Sequence, residues 1–175
     1  MLKNLLFCTL LFAISCSADR DEISTVTTNT PPPSALSSIE LSEFSSSMLS
    51  EVNALRTKGC TCGDVEMPAV APLQWNDKLF KSADRHAYDM QTQKFFDHEG
   101  SDNSKVGDRS FDAGYSWNAI AENIAYVPGE ISDVIQGWQK SPNHCKQMMS
   151  PDYKDLGAAQ RGDYWVQVFG TQVGE

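Results

Sequence analysis

The chain has 175 residues, with 14 Lys and Arg against 23 Asp and Glu, a formal net charge of −9. That balance excludes a protein that grips nucleic acid by its phosphates, which needs a basic surface, and also charge-driven docking on anionic lipid. Hydrophobic residues at 41% and aromatics at 10% supply a core, and no apolar run reaches the roughly 18 residues of a spanning helix, so one globular domain is predicted.

In chain order the first feature is a targeting segment. Lys3 precedes the apolar block Leu5 to Ile14, which has the size of a signal-peptide core and is too short to cross a bilayer. Ala13-Ile14-Ser15-Cys16 resembles a bacterial lipoprotein processing box, with Ala13 where Leu is usual. Residues 1–15 are therefore predicted to be a lipoprotein-type signal peptide and Cys16 the lipidated first residue of the mature protein. That places the chain outside the cytoplasm, in the cell envelope, anchored to a membrane through Cys16, where disulfides persist. Residues 16–40 read as a flexible Ser/Thr/Pro-rich tether. They hold few large apolar groups to offset ordering entropy, and Pro31-Pro32-Pro33 favours an extended stretch. Residues 41–175 are the predicted globular domain, large enough for its own core.

Leu41, Phe44, Met48, Val52 and Leu55 recur at steps of three and four, which predicts a helix from Ser42 to Thr57 ended by Gly59. Cys60 to Gly63 and Pro68 to Pro72 read as loop. Asn76 can cap a second helix, with Trp75 and Phe80 at the spacing of a hydrophobic staple and Leu79, Ala83, His86, Ala87 and Met90 as its buried stripe. A short helix near Asp108 to Ala113 stops at Gly114, and Glu122 to Val127 reads as a strand. Ser132 can cap a helix carrying Val134, Ile135 and Trp138. Ser141-Pro142 ends it and opens a helical turn through Met149. Asp155 to Gln160 and Asp163 to Phe169 form a hairpin around Arg161-Gly162. Helices ahead of a closing hairpin predict an α+β fold with an antiparallel sheet.

The chain has three histidines. His86 lies on a helix's apolar stripe and reads as a core histidine. His98 follows a helix end, and His144 lies in the Ser141-Pro142-Asn143-His144 turn, so these two meet only if the fold brings them together. Glu122 stands among small and apolar residues in Ala121-Glu122-Asn123-Ile124. A carboxylate buried there requires a cation, an imidazolium or a metal as partner.

Several segments in this order resemble the CAP superfamily (cysteine-rich secretory, antigen 5 and pathogenesis-related proteins) in its bacterial YkwD-like branch. They are Asn53-Ala54-Leu55-Arg56, Pro72-Leu73-Gln74-Trp75-Asn76-Asp77-Lys78-Leu79, Phe95-Phe96-Asp97-His98 and Asp112-Ala113-Gly114-Tyr115. Ala121-Glu122-Asn123-Ile124-Ala125, Trp138 to His144 and Tyr164 to Gly170 complete the series. The resemblance implies a three-layer α-β-α sandwich around a central antiparallel sheet, with a cleft where His98, His144 and Glu122 converge. Two neutral imidazoles there can ligate a divalent ion, zinc foremost, with open positions left to water. Glu122 is then a direct ligand or orients a histidine N–H.

Three departures from the family pattern bear on that site. Ala121 and Asn143 replace glycines, and Gln139 and Lys140 follow Trp138 where many members carry a second cleft glutamate; Glu99 or Asp102 is the candidate substitute. Of the five cysteines, Cys8 leaves with the signal and Cys16 is lipidated. A disulfide from Cys145, beside His144, to Cys60 or Cys62 would pin the cleft wall to the first helix. A rival is a thiolate metal site of all three.

The functional expectation is a monomeric, non-catalytic, envelope-tethered module that binds a small ligand, lipid or protein partner and no nucleic acid. One alternative is a metal-assisted hydrolase or protease with His98, Glu122 and His144 as the catalytic candidates, although neither His-Glu-x-x-His nor Gly-x-Ser-x-Gly occurs. The other is a structural or adhesive envelope module.

Overall fold

The structure, a computed structural model, describes residues 38–174. The predicted signal peptide, Cys16 and nearly all of the tether lie outside these residues. The elements in chain order are α1 (Ser38–Lys58), β1 (Cys60–Cys62), β2 (Val65–Met67), β3 (Gln74–Trp75), α2 (Asp77–Gln93) and α3 (Val106–Asp112). Then come β4 (Trp117–Tyr126), α4 (Ile131–Lys140), α5 (Pro142–Met149), β5 (Asp155–Arg161) and β6 (Tyr164–Gln172). Among the described residues no helix is long and apolar enough to cross a membrane.

Local chemistry accounts for many of the boundaries. Asn76 Oδ1 accepts from Lys78 N at 3.1 Å and opens α2. Trp75 and Phe80 pack with ring centroids 6.1 Å apart, which fixes the angle of entry. Pro142 occupies the first turn of α5, where its missing N–H costs nothing. α4 starts one residue before Ser132, on a hydrogen bond from Glu130 N to Asp133 Oδ2 at 3.0 Å.

The main sheet has the order β3-β5-β6-β4. β5 pairs antiparallel with β6, and β6 with β4. The antiparallel sheet carries one short parallel edge, in which Gln74 pairs with Asp155 and Trp75 with Leu156. The predicted loop after α1 contains a small hairpin, β1 against β2, turning at Gly63 with φ +63°.

Strand alternation sorts the core into two layers. Trp165 and Phe169 of β6 pack with Met48 and Val52 of α1, Val134 and Trp138 of α4, and Met148 of α5. Tyr164, Val166 and Val168, the intervening residues, pack with Leu79, Ala83, Ala87 and Met90 of α2. The α-β-α sandwich follows from that alternation. β4 is an edge strand, and an open edge invites strand addition. Side chains of α4 and α5 cover it. Trp138 Nε1 donates to Ile124 O at 3.1 Å and Gln147 Nε2 to Glu122 O at 3.4 Å.

Candidate functional site

β4 alternates like β6. Ala121 and Ala125 belong to the α1/α4/α5 layer, and Ile120 and Ile124 to the α2 layer. Glu122 falls in register with the second set, beneath α2 and α3, and its side chain is 2% exposed. The carboxylate is fully partnered there. Its Oε1 accepts from His98 Nδ1 at 2.8 Å, and its Oε2 accepts from Arg109 Nη2 at 2.7 Å.

Arg109 comes from α3 and is itself buried. It also donates to Ser104 O at 2.6 Å and to His98 O at 3.2 Å, so one guanidinium holds both Glu122 and the backbone that carries His98. A hydrogen bond between Ser82 Oγ and Ser110 Oγ, 3.0 Å long, ties α3 to α2 beneath them. Burial of Glu122 demands a cation, but nothing in the sequence says which. A buried arginine on a seven-residue helix has no local signature, and Arg109 is the site residue that sequence reasoning misses.

His98 is the exposed member of the pair, with its side chain 57% accessible. Because a carboxylate only accepts, His98 Nδ1 carries the proton, and Nε2 remains for a ligand. The hydrogen bond to Glu122 raises the His98 pKa above the ordinary imidazole value, against the opposing effect of burial. His86, on the α2 stripe as predicted, is fully buried. Its Nε2 donates to Asp97 O at 2.9 Å and lies 3.9 Å from Glu122 Oε1. Burial pushes its pKa down, so it stays neutral.

His144 approaches from the opposite layer, on α5. Asn123 Nδ2 donates to His144 O at 3.2 Å and to Gln167 Oε1 at 3.3 Å, which fastens this turn of α5 to the strand residue next to Glu122. The His144 pKa is lowered, first by burial and then by repulsion from His98. Neutral imidazole at ordinary pH is the state that binds a metal. The hollow of about 410 Å³ beside the pair is lined by Asp97, His98, Glu99, Lys105, Glu122 and Gln147. Gln147, one turn beyond His144, is the residue through which α5 reaches it.

The ligand atoms of His98, Glu122 and His144 do not gather within 4.8 Å of one another. Among the described residues only the Cys60, Cys62 and Cys145 sulfurs do. Those sulfurs are no thiolate triad, because Cys62 and Cys145 form a disulfide and Cys60 is free. Of the two substitute acids, Glu99 lines the hollow. Asp102 turns away and bonds Arg85 Nη2 at 2.7 Å; contacts with Ser104 and then Arg85 hold its pKa well below the usual carboxylate range. Neither replaced glycine distorts the backbone. Ala121 pairs in register with Phe169, and Asn143 lies within α5, outside the positive-φ residues.

A sheet with helices on both faces, and an imidazole–carboxylate cleft at its edge strand, define the class of this domain. The chain belongs to the CAP (cysteine-rich secretory protein) family, whose model matches residues 49–169. It is 28% identical over 111 residues to the uncharacterized protein YkwD of Bacillus subtilis, a match covering 62% of this chain and 43% of that one. A second relative, the uncharacterized membrane protein YlbC of Bacillus subtilis, is 28% identical over 57% of this chain and 29% of its own. The chain thus spans less than half the length of these relatives.

Two solved structures share the fold. An extracellular SCP-domain protein from Bacillus anthracis superposes with a TM-score of 0.64 at 20% identity, over 79% of this chain and 45% of that one. An outer surface protein of Borrelia burgdorferi gives 0.64 at 22% identity, over 74% and 93%.

Proposed function

We propose that this chain is an extracytoplasmic CAP module, tethered to a membrane through a lipidated Cys16, that acts by binding. Its cleft holds a divalent cation, zinc foremost, on His98 and His144, and through it a small ligand, lipid or envelope partner. The observation that carries this reading is the hydrogen bond from His98 Nδ1 to Glu122 Oε1. A carboxylate that takes one imidazole N–H fixes the tautomer and leaves the other nitrogen basic, the arrangement that metal-binding histidines use. Glu122 is engaged on both oxygens and charge-paired with Arg109, so it is an orienting group and neither a ligand nor a free general base. Two imidazoles completed by water make an open site suited to a reversible ion. The apolar block before Cys16, the disulfide, and the extracellular and outer-surface relatives support the location.

The test uses Cys60→Ser protein, so that the free thiol does not compete for metal, in a melting scan with zinc, magnesium and chelator. A hundredfold excess over Kd adds about 2.7 kcal/mol of stability. Zinc is expected to raise Tm, and His98→Ala or His144→Ala to abolish the rise. No shift with either metal, or a shift that survives loss of both histidines, overturns the cation site. Robust metal-dependent hydrolysis would replace binding by turnover. Cys16→Ala tests the tether: the protein should leave the membrane fraction.

A further inference from the structure

The sequence left open whether Cys60 or Cys62 pairs with Cys145, and the fold shows why both stand within reach. β1 is extended, so residues two apart share a face. Cys60 and Cys62 both face Cys145 on α5, with the exposed Thr61 between them. Cys62 holds the bridge, and Cys60 Sγ rests 3.6 Å from Cys145 Sγ and 3.9 Å from Cys62 Sγ. A free thiol in contact with both sulfurs of a disulfide is the reactant pair of an exchange reaction.

We propose that Cys60 and the Cys62–Cys145 bridge form one intramolecular thiol–disulfide exchange centre, so that the protein interconverts between two disulfide isomers. The Cys60 thiol gives its proton to solvent, and its thiolate attacks Cys145 Sγ. A Cys60–Cys145 bond forms and the Cys62–Cys145 bond breaks. The electron pair leaves on Cys62 Sγ, which takes a proton from solvent. One disulfide and one thiol exist before and after, so no external oxidant or reductant is consumed.

Attack on Cys145 wins over attack on Cys62. Cys145 is the nearer sulfur, and the alternative product would join Cys60 to Cys62 along one extended strand. Their Cα atoms lie about 6.6 Å apart at the usual strand rise, the long limit for a disulfide.

The exchange changes where the thiol is. Cys60 is half-buried and lines a surface hollow of about 420 Å³ with Lys58, Glu66, Met67 and Pro68. Cys62 is fully buried. One isomer therefore presents a thiol to solvent and the other hides it, with no net redox change. Burial raises the Cys60 pKa, so thiolate is scarce and the interchange is slow.

The experiment uses the full-length chain with Cys8→Ser and Cys16→Ser, so that Cys60, Cys62 and Cys145 are its only cysteines. Folded protein is held at mildly alkaline pH and acid-quenched at intervals. It is then unfolded and tagged with N-ethylmaleimide, reduced, and tagged a second time with iodoacetamide. Fragmentation of the peptide containing both cysteines places each tag. N-ethylmaleimide is expected on Cys60 in most molecules and on Cys62 in a minority that grows with time. Cys62→Ser protein should fold, by circular dichroism, with no free thiol, because Cys60 takes over the bridge. Cys60→Ser protein, the locked isomer, should take up no first tag. A tag confined to Cys60 at every time, or a folded Cys62→Ser protein with two free thiols, overturns the proposal.

Discussion

Arg109 and Glu122 meet at 2.7 Å with side chains only 1% and 2% exposed, so the anchor of the cleft is a buried ion pair. Removing one partner of such a pair leaves an uncompensated charge, which costs about 3–5 kcal/mol, whereas removing both costs less. Arg109→Met is expected to destabilise by that amount in urea unfolding. The double variant Arg109→Met/Glu122→Gln should recover part of the loss. Strict additivity of the two single changes would show that the pair is not coupled.

The histidines are expected to titrate on opposite sides of the ordinary value near 6.5. Glu122 raises the His98 pKa, while burial lowers those of His86 and His144. A raised folded-state pKa contributes stability that is fully present below about 6.5 and is lost as pH rises through the folded value. The lowered pair has the opposite sign, costing stability as pH falls below about 6.5. In chelator-treated protein, NMR titration should place His98 above 6.5 and His144 below it, and Glu122→Gln should bring His98 down. The stability gap between wild type and His98→Ala should be wider at about pH 5.5 than at pH 8. A gap that does not change with pH would contradict the assignment.

Features written in neighbouring residues were legible in the sequence. The Asn76 cap, the Trp75/Phe80 staple, the Gly162 hairpin and the α2 stripe each need only a few adjacent side chains. The approach of His98 to Glu122 needs the whole sandwich, and the resemblance to a family carried that expectation rather than periodicity. Glu122's need for a cation could be argued from burial, but Arg109 arrives through tertiary packing of a short helix. β1 and β2 have three residues each, too few for alternation to rise above loop composition. The sequence starts this strand at Glu122, whereas β4 begins at Trp117; its first half mixes polar and apolar residues at the sheet's outer end and carries no clear alternation.

Gly157 sets how closely α2 approaches the sheet. A Cβ at this position of β5 would overlap Phe80 N and Leu79 C, which are helix backbone and cannot rotate away. Gly157→Ala must lift α2, and with it the stripe that carries His86. Overpacking of this kind costs about 1–3 kcal/mol or more, so a lowered Tm and weaker zinc response are expected together. Gly137, whose Cβ would meet nothing, is the control: Gly137→Ala should be neutral or mildly stabilising.

Arg56 holds the opposite wall. It is buried in α1 and donates to four backbone carbonyls, those of Ala71, Met148, Ser150 and Tyr153. Two of these flank the end of α5, where helix carbonyls lack partners, so the guanidinium closes the helix that bears His144 and Cys145. Burial lowers its pKa to about 10, still charged at any working pH. Lysine cannot reproduce the planar fork. Arg56→Lys should therefore lose stability through the carbonyls it abandons, about 1–3 kcal/mol, and Arg56→Met should lose more. Hydrogen exchange gives the decisive readout. Amides at the carboxyl end of α5 should open in Arg56→Met while those of α2 keep their protection. Equal loosening of both helices would mean that Arg56 serves global stability and not this wall.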